Sequence, residues 1–315
     1  RPVRGLRLGD VDDAVELATL YGLTPGEWQE WVLEGWLART RTGKLASSQC
    51  GLSVPRQNGK NACLEIAELF KIVVLGRKVL HTAHEVKTAR KAFLRLVSFF
   101  ENERQWPELA ALVKEVRRTN GQEALVLTNG GSVEFIARSK GSGRGFTVDD
   151  LVLDEAQELQ TEHLAALVPA MAAQSMDVSS MPQLIFAGSA PLSRSVYLHD
   201  LLRRIHATKP DRTLLAMWAG SPDDDPTDVD VWYRTNPSLG VLISEDYVRE
   251  TEHLTLSADD FAAERLGVPQ GGDSAGDGPI SVDRWKTLTD GESMATDESA
   301  SIGLDAPLDR RSACF

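Results

Sequence analysis

The segment Val54-Pro55-Arg56-Gln57-Asn58-Gly59-Lys60-Asn61 carries the first chemistry in this chain. A short apolar run precedes it and a helical pattern follows. Strand, glycine-lysine loop and helix N-terminus, in that order, make a phosphate cradle. Main-chain N–H groups and the positive end of the helix face the oxyanions, and the lysine reaches the outer phosphates. Two positions depart from the GxxxxGK[ST] pattern. Val54 stands where the first glycine would fall, and Asn61 offers an amide in place of the Mg²⁺-binding hydroxyl. The competing reading is a surface turn with an asparagine capping a helix. A second signal is Leu151-Val152-Leu153-Asp154-Glu155. A buried strand ending in two acids sets both carboxylates at the C-terminal edge of a parallel sheet, where ligands of open α/β folds bind. There the aspartate would hold Mg²⁺ and the glutamate would polarise the attacking water. The competing reading is a strand that ends in solvated acids. Leu184-Ile185-Phe186-Ala187-Gly188-Ser189-Ala190-Pro191 is a third buried strand, ending in small residues and a hydroxyl that can sense the γ-phosphate; alone it reads as a strand and a turn.

Positioning these groups requires a regular scaffold, and the pattern supplies one. From Lys44 to Leu266 short apolar strands alternate with amphipathic helices, which predicts an α/β domain with a largely parallel sheet. Strands are expected over Lys44–Val54, Lys78–Thr82, Leu151–Leu153, Gln183–Ala187 and Thr213–Ala219. Helices are expected over Lys60–Leu75, Glu85–Glu103, Thr161–Ala173 and Val196–His206. In Glu85–Glu103, Val86, Ala89, Phe93, Leu96, Val97 and Phe100 recur close to a 3.6 period. Val113–Arg118, Ala124–Thr128 and Ser132–Ala137 read as a meander turning at Asn120-Gly121 and Asn129-Gly130.

The whole chain has 315 residues, 42% apolar and 25% charged, enough for a sizeable core and against disorder. The longest apolar runs, such as Ile72–Leu75, are too short to span a bilayer. Residue 1 is Arg, which reads as a processed or cut end. Three cysteines (Cys50, Cys63, Cys314) show no framework spacing and point to a reducing compartment. Net charge is −12, yet residues 71–150 hold 14 basic and 9 acidic side chains while residues 151–315 hold 12 and 28. A basic quarter inside an acidic whole permits a local phosphate-binding surface.

PRQNGKN, LVLDEAQE, FAGSAP and Trp232–Gly240 (WYRTNPSLG) together resemble the large terminase subunit of tailed bacteriophages, over essentially the whole chain. The resemblance implies an additional-strand P-loop NTPase that hydrolyses ATP with Mg²⁺ to drive double-stranded DNA into the prohead. By that resemblance Lys60 contacts the β,γ-phosphates, Asn58 and Gly59 belong to the cradle with Gln57, and Arg56 lies near the γ-phosphate. Asp154 organises Mg²⁺, with Asn61 acting there directly or through water, and Glu155 is the catalytic carboxylate. Ser189-Ala190-Pro191 couples hydrolysis to movement. Gln29 resembles the adenine-recognising glutamine, and Arg144, in Gly141-Ser142-Gly143-Arg144-Gly145, resembles the arginine finger supplied by a neighbouring subunit. Asp305, in Ile302-Gly303-Leu304-Asp305-Ala306, resembles the first metal ligand (Mg²⁺ or Mn²⁺) of a ribonuclease H-like nuclease domain. The implied organisation is an N-terminal helical segment (1–43), the ATPase core (44–210), a lid (211–266), a linker (267–280) and a truncated nuclease start (281–315). Implied partners are DNA, the portal protein, the small terminase subunit and copies of the chain in a ring, in the host bacterial cytoplasm and without a membrane. Lys87, Arg90, Lys91 and Arg95 are candidates for DNA phosphate contact.

Other features read as structural. His81 and His84 lack further ligands at zinc spacing. Trp28, Trp31 and Trp36 read as packing residues, and Asp223–Asp225 with Asp228 and Asp230 as an acidic loop capping the helix near Trp232. Two rival functions remain: another P-loop translocase or helicase, and a terminase remnant that binds nucleotide or partners without turnover.

Overall fold

The strands Leu151–Leu153 and Gln183–Ala187 carry apolar residues on both faces, so they must lie inside a sheet covered on both sides. The computed structural model describes residues 9–139, 145–176, 181–206 and 212–270, and it has that architecture. Eight strands form one sheet in the order β3-β4-β5-β2-β6-β7-β1-β8. They are β1 (Gln49–Ser53), β2 (Lys78–Ala83), β3 (Val113–Arg117), β4 (Glu123–Leu127), β5 (Ser132–Ala137), β6 (Asp150–Asp154), β7 (Gln183–Gly188) and β8 (Thr213–Met217). The six strands from β5 to β8 along the sheet are mutually parallel, and the meander β3-β4-β5 is antiparallel. β7 stands between β1, which feeds the glycine-lysine loop, and β6, which ends in the acids. That intervening strand is the additional strand that the resemblance implied.

Strand alternation divides the core. Val152 and Ile185 pack with α3 (Lys60–Val73) and α4 (Val86–Glu101) in a cluster that includes Phe70, Phe93 and Phe135. Their neighbours Leu151, Leu153, Leu184 and Phe186 join a second cluster with Leu198 and Leu201 of the helix Val196–His206. The helices α1 (Gly9–Leu20) and α2 (Glu27–Leu37) extend the first layer, with Trp36 fully buried. β1 passes so close to its neighbours that a Cβ at Gly51 would lie 2.1 Å from Phe186 and 2.8 Å from Leu215. A third, smaller core gathers Trp232, Leu239, Ile243, Val248 and Phe261 from residues 229–268.

Differences from the sequence reading are local. The first strand is shorter than Lys44–Val54, because Leu45 forms a bridge with Arg39 before β1 begins. The helix expected over Thr161–Ala173 stops at Leu167 and tightens into a 3₁₀ segment, Val168–Met176. Pro169 lacks the N–H that would continue it. β8, within the span expected as a lid, is the edge strand of the main sheet beside β1. Asp228 caps the helix Val229–Thr235 by accepting from the Asp230 N–H, as the acidic loop was expected to do. Among the described residues no helix is long and apolar enough to cross a membrane.

Candidate active site

The loop after β1 reverses the chain into α3 through two left-handed residues, Gln57 (φ 67°) and Gly59 (φ 93°). Gly59 is confined as well as turned: a Cβ there would sit 3.0 Å from Gln29 Nε2 and 3.1 Å from Leu242 Cδ1. Gly59 immediately precedes α3, so the first N–H groups of that helix open beside the loop.

The parallel register carries the end of β6 to the same rim. Lys60 Nζ bonds the Asp154 carboxylate and reaches Asn61 Oδ1 at 3.1 Å. Asp154 is buried, and its Oδ1 also accepts the Glu155 N–H at 2.8 Å. Burial works to raise the Asp154 carboxyl, but the charges of Lys60 and His81 and the bonds from Lys60 and Glu155 outweigh it, holding it below the usual carboxylate range. Glu155 sits in the left-handed region (φ 52°, ψ 50°), a conformation that a non-glycine residue keeps only when its surroundings hold it. Its carboxylate accepts from the His84 N–H at 2.9 Å and from the Thr88 hydroxyl at 3.2 Å.

Arg138, at the end of β5, supplies the hold. Its guanidinium crosses β2 to donate to the carbonyls of Thr82 (3.0 Å), Asp154 (2.6 Å) and Glu155 (3.0 Å). Burial pushes Arg138 down to about 10, against the pull of Asp154 and Glu155. Sequence reasoning missed this residue. Its signal was an arginine directly after the apolar run Phe135-Ile136-Ala137 that ends β5. It also missed Gln157, whose Oε1 accepts the Ser189 N–H at 3.2 Å and so ties the 3₁₀ turn after the acids, Ala156–Glu158, to the end of β7.

Gln29, Arg56, Gln57, Gly59, Lys60, Asn61, Asp154, Glu155 and Ser189 all line one cleft of about 1100 Å³. The sequence motifs therefore converge in space. Gln29 is already engaged, Oε1 accepting from the Gly26 N–H (2.8 Å) and Nε2 donating to the Gly59 carbonyl (2.9 Å). Arg56 pairs with Glu264 at 2.5 Å. Asn58 departs from its expected place in the cradle. Its side chain is buried behind the loop, bonded to Pro55, Asn236 and Ser238. Of the four basic residues assigned to DNA, Lys91 and Arg95 open on this cleft, and Arg95 pairs with Glu65 at 2.9 Å. His81 is a buried core histidine bonded to Glu68 at 2.6 Å. Arg144 and Asp305, with the linker beyond residue 270 and the nuclease start, lie outside the described residues.

The oxygen donors fit a hard divalent cation. Asp154 Oδ1 and Asn61 Oδ1 converge on one cationic centre, the Lys60 ammonium. Sheet order, loop and paired acids define an additional-strand P-loop NTPase fold. By sequence, no protein-family profile and no curated protein matches this chain. By structure it is similar to the HK97 bacteriophage large terminase, with 17% identity and a TM-score of 0.61 over 78% of this chain and 50% of that one. It is also similar to the large terminase ATPase domain of Thermus phage P74-26 (17% identity, TM-score 0.50, 80% of this chain and 96% of that domain). The large terminase of another thermophilic bacteriophage gives 12% identity and a TM-score of 0.50, over 78% and 53% of the two chains. More particularly, then, the fold is that of the ATPase domain of phage large terminases, and this chain spans half the length of the HK97 protein.

Proposed function

We propose that this chain is the ATPase portion of a terminase-like DNA-packaging motor that hydrolyses ATP with Mg²⁺ and moves double-stranded DNA into a prohead. The observation that carries the reading is the Lys60–Asp154 pair, which joins the loop after β1 to the end of β6 inside the common cleft. In the working site Lys60 and the N–H groups at the start of α3 bind the phosphates, with Gln57 and Gly59 shaping the loop and Arg56 beside the γ-phosphate. Asp154 and Asn61 would hold Mg²⁺, which supplies charge neutralisation on the phosphates. Glu155 aligns and deprotonates the attacking water, its backbone turn fixed by Arg138. Gln29 braces Gly59 beside the nucleobase end of the cleft. Ser189-Ala190-Pro191, held by Gln157, passes the phosphate state to the end of β7.

Completion by a neighbour in a homo-oligomeric ring, through Arg144, belongs to the same proposal, as do the portal and small-subunit partners and the host bacterial cytoplasm as the place of work. DNA cutting with Mg²⁺ or Mn²⁺ at Asp305 is proposed for the intact protein only. The test is ATP hydrolysis with Mg²⁺ over a protein concentration series, for this chain and for Glu155→Ala. Turnover rising more steeply than concentration and vanishing in the variant supports a motor domain completed by its neighbour. Absence of both turnover and ATP binding overturns the reading.

A further inference from the structure

The segment Asn236-Pro237-Ser238 takes no part in the proposed chemistry, yet its polar atoms converge on the phosphate loop. Asn58 lies between the two left-handed residues Gln57 and Gly59 and is almost wholly buried. Its amide is fully used. Nδ2 donates to the Pro55 carbonyl (3.0 Å) and to Asn236 Oδ1 (2.9 Å), and Oδ1 accepts the Ser238 N–H (3.0 Å). The Asn58 carbonyl accepts the Ser238 hydroxyl at 2.7 Å, and that same hydroxyl accepts the Trp28 indole N–H at 3.0 Å. Asn236 is satisfied in turn, donating to the carbonyls of Trp232 (3.0 Å) and Arg265 (2.9 Å). Arg265 donates to the Arg56 carbonyl at 3.1 Å and is itself clamped by both oxygens of Glu252 at 2.6 Å.

We infer that Asn58, Asn236 and Ser238 are positioning residues, a buried latch that fastens the phosphate loop to the 229–268 core and holds its amides in cradle form. The physical need is the backbone. A loop with two left-handed residues has no helix or strand ladder to keep it in shape, so side chains must over-determine it. Asparagine meets that need at position 58 because it presents two donors and an acceptor on one short fork. Aspartate lacks the donors, and serine lacks the reach. Because every member is paired and desolvated, the network forms or breaks as a unit. The loop and the 236–238 segment therefore hold their positions together. The inference rests on the phosphate reading of the loop, while the latch is testable without it.

The Ser238 N–H reports the latch directly, since its acceptor is Asn58 Oδ1. Amide hydrogen exchange of the nucleotide-free chain is compared with Asn58→Ala, Asn236→Ala and Ser238→Ala. The latch predicts exchange at least about tenfold faster at the Ser238 amide and at the Ala62 amide, which closes the loop on the Gly59 carbonyl (3.1 Å), in Asn58→Ala and Asn236→Ala, with β6 and β7 unchanged. A smaller change is expected for Ser238→Ala, which loses only the hydroxyl bonds. ADP titration should show affinity weaker by about tenfold or more in Asn58→Ala and Asn236→Ala. Unchanged loop exchange when Asn236 is truncated overturns the latch. If the wild-type chain binds no ADP, the phosphate reading fails, and exchange alone decides on the latch. Should Asn58→Ala not fold, Asn236→Ala and Ser238→Ala decide the question by the same readouts.

Discussion

Lys60 and Asp154 are 94 residues apart in sequence and in direct contact in the fold, where their ion pair spans the additional strand β7. The cation comes from the first residue of α3 and the anion from the last residue of β6. Parallel strands deliver both to the same edge of the sheet, and everything proposed for the cleft depends on that edge.

Glu155→Gln should lower ATP turnover by about 10²-fold or more while leaving ADP affinity within a few-fold of wild type. The change keeps an oxygen for the His84 N–H, with the new amide N–H donating to the Thr88 hydroxyl, but removes the base. Steady-state hydrolysis alongside ADP titration checks it. Turnover near wild type would move the base elsewhere.

Arg138→Ala should reduce kcat about tenfold or more with little change in KM, because it frees the left-handed turn at Glu155 without touching the phosphate loop. Arg138→Lys should recover little, since one ammonium cannot reach three carbonyls on two strands. A KM effect with kcat intact would argue against this assignment.

At the opposite end of β6, Asp150 is fully buried between Lys71 (3.0 Å) and Arg77 (2.5 Å). Burial works to raise its carboxyl, and the two cations outweigh that and hold it low. Asp150→Ala removes the one carboxylate that faces both buried cations, Lys71 and Arg77, and should cost about 3–5 kcal/mol of stability. Urea denaturation measures this, and a loss under about 1 kcal/mol would contradict it.

Burial pushes the Glu65 carboxyl up to about 7, against the opposing charge of Arg95. Below the ordinary value of 4.5 both folded and unfolded chains hold the proton. Between there and about 7 only the unfolded chain releases it, so this residue erodes stability as pH rises. Glu65→Gln should therefore gain on wild type by up to ~3 kcal/mol between about pH 4 and pH 8. Melting temperatures across that range test the trend, and a difference that stays flat with pH would refute it.

Much of this was legible along the chain. The buried strands Leu151–Leu153 and Gln183–Ala187, the meander turns and the glycine-lysine loop are local patterns, set by apolar runs and by glycine and asparagine at turns. Strand order, Arg138 and the latch were not legible. Arg138 and Asn58 are ordinary polar residues until the fold buries them, and their partners lie across β2 or 178 residues away. Sequence determined which residues could form strands, turns and a phosphate loop, because those choices depend on side-chain type and spacing over a few positions. Only the tertiary structure decided which carbonyls Arg138 would hold, that Asn58 braces the loop from behind, and that Lys91 and Arg95 face the cleft. Those outcomes depend on burial and on contacts between distant segments, which no short stretch of sequence encodes.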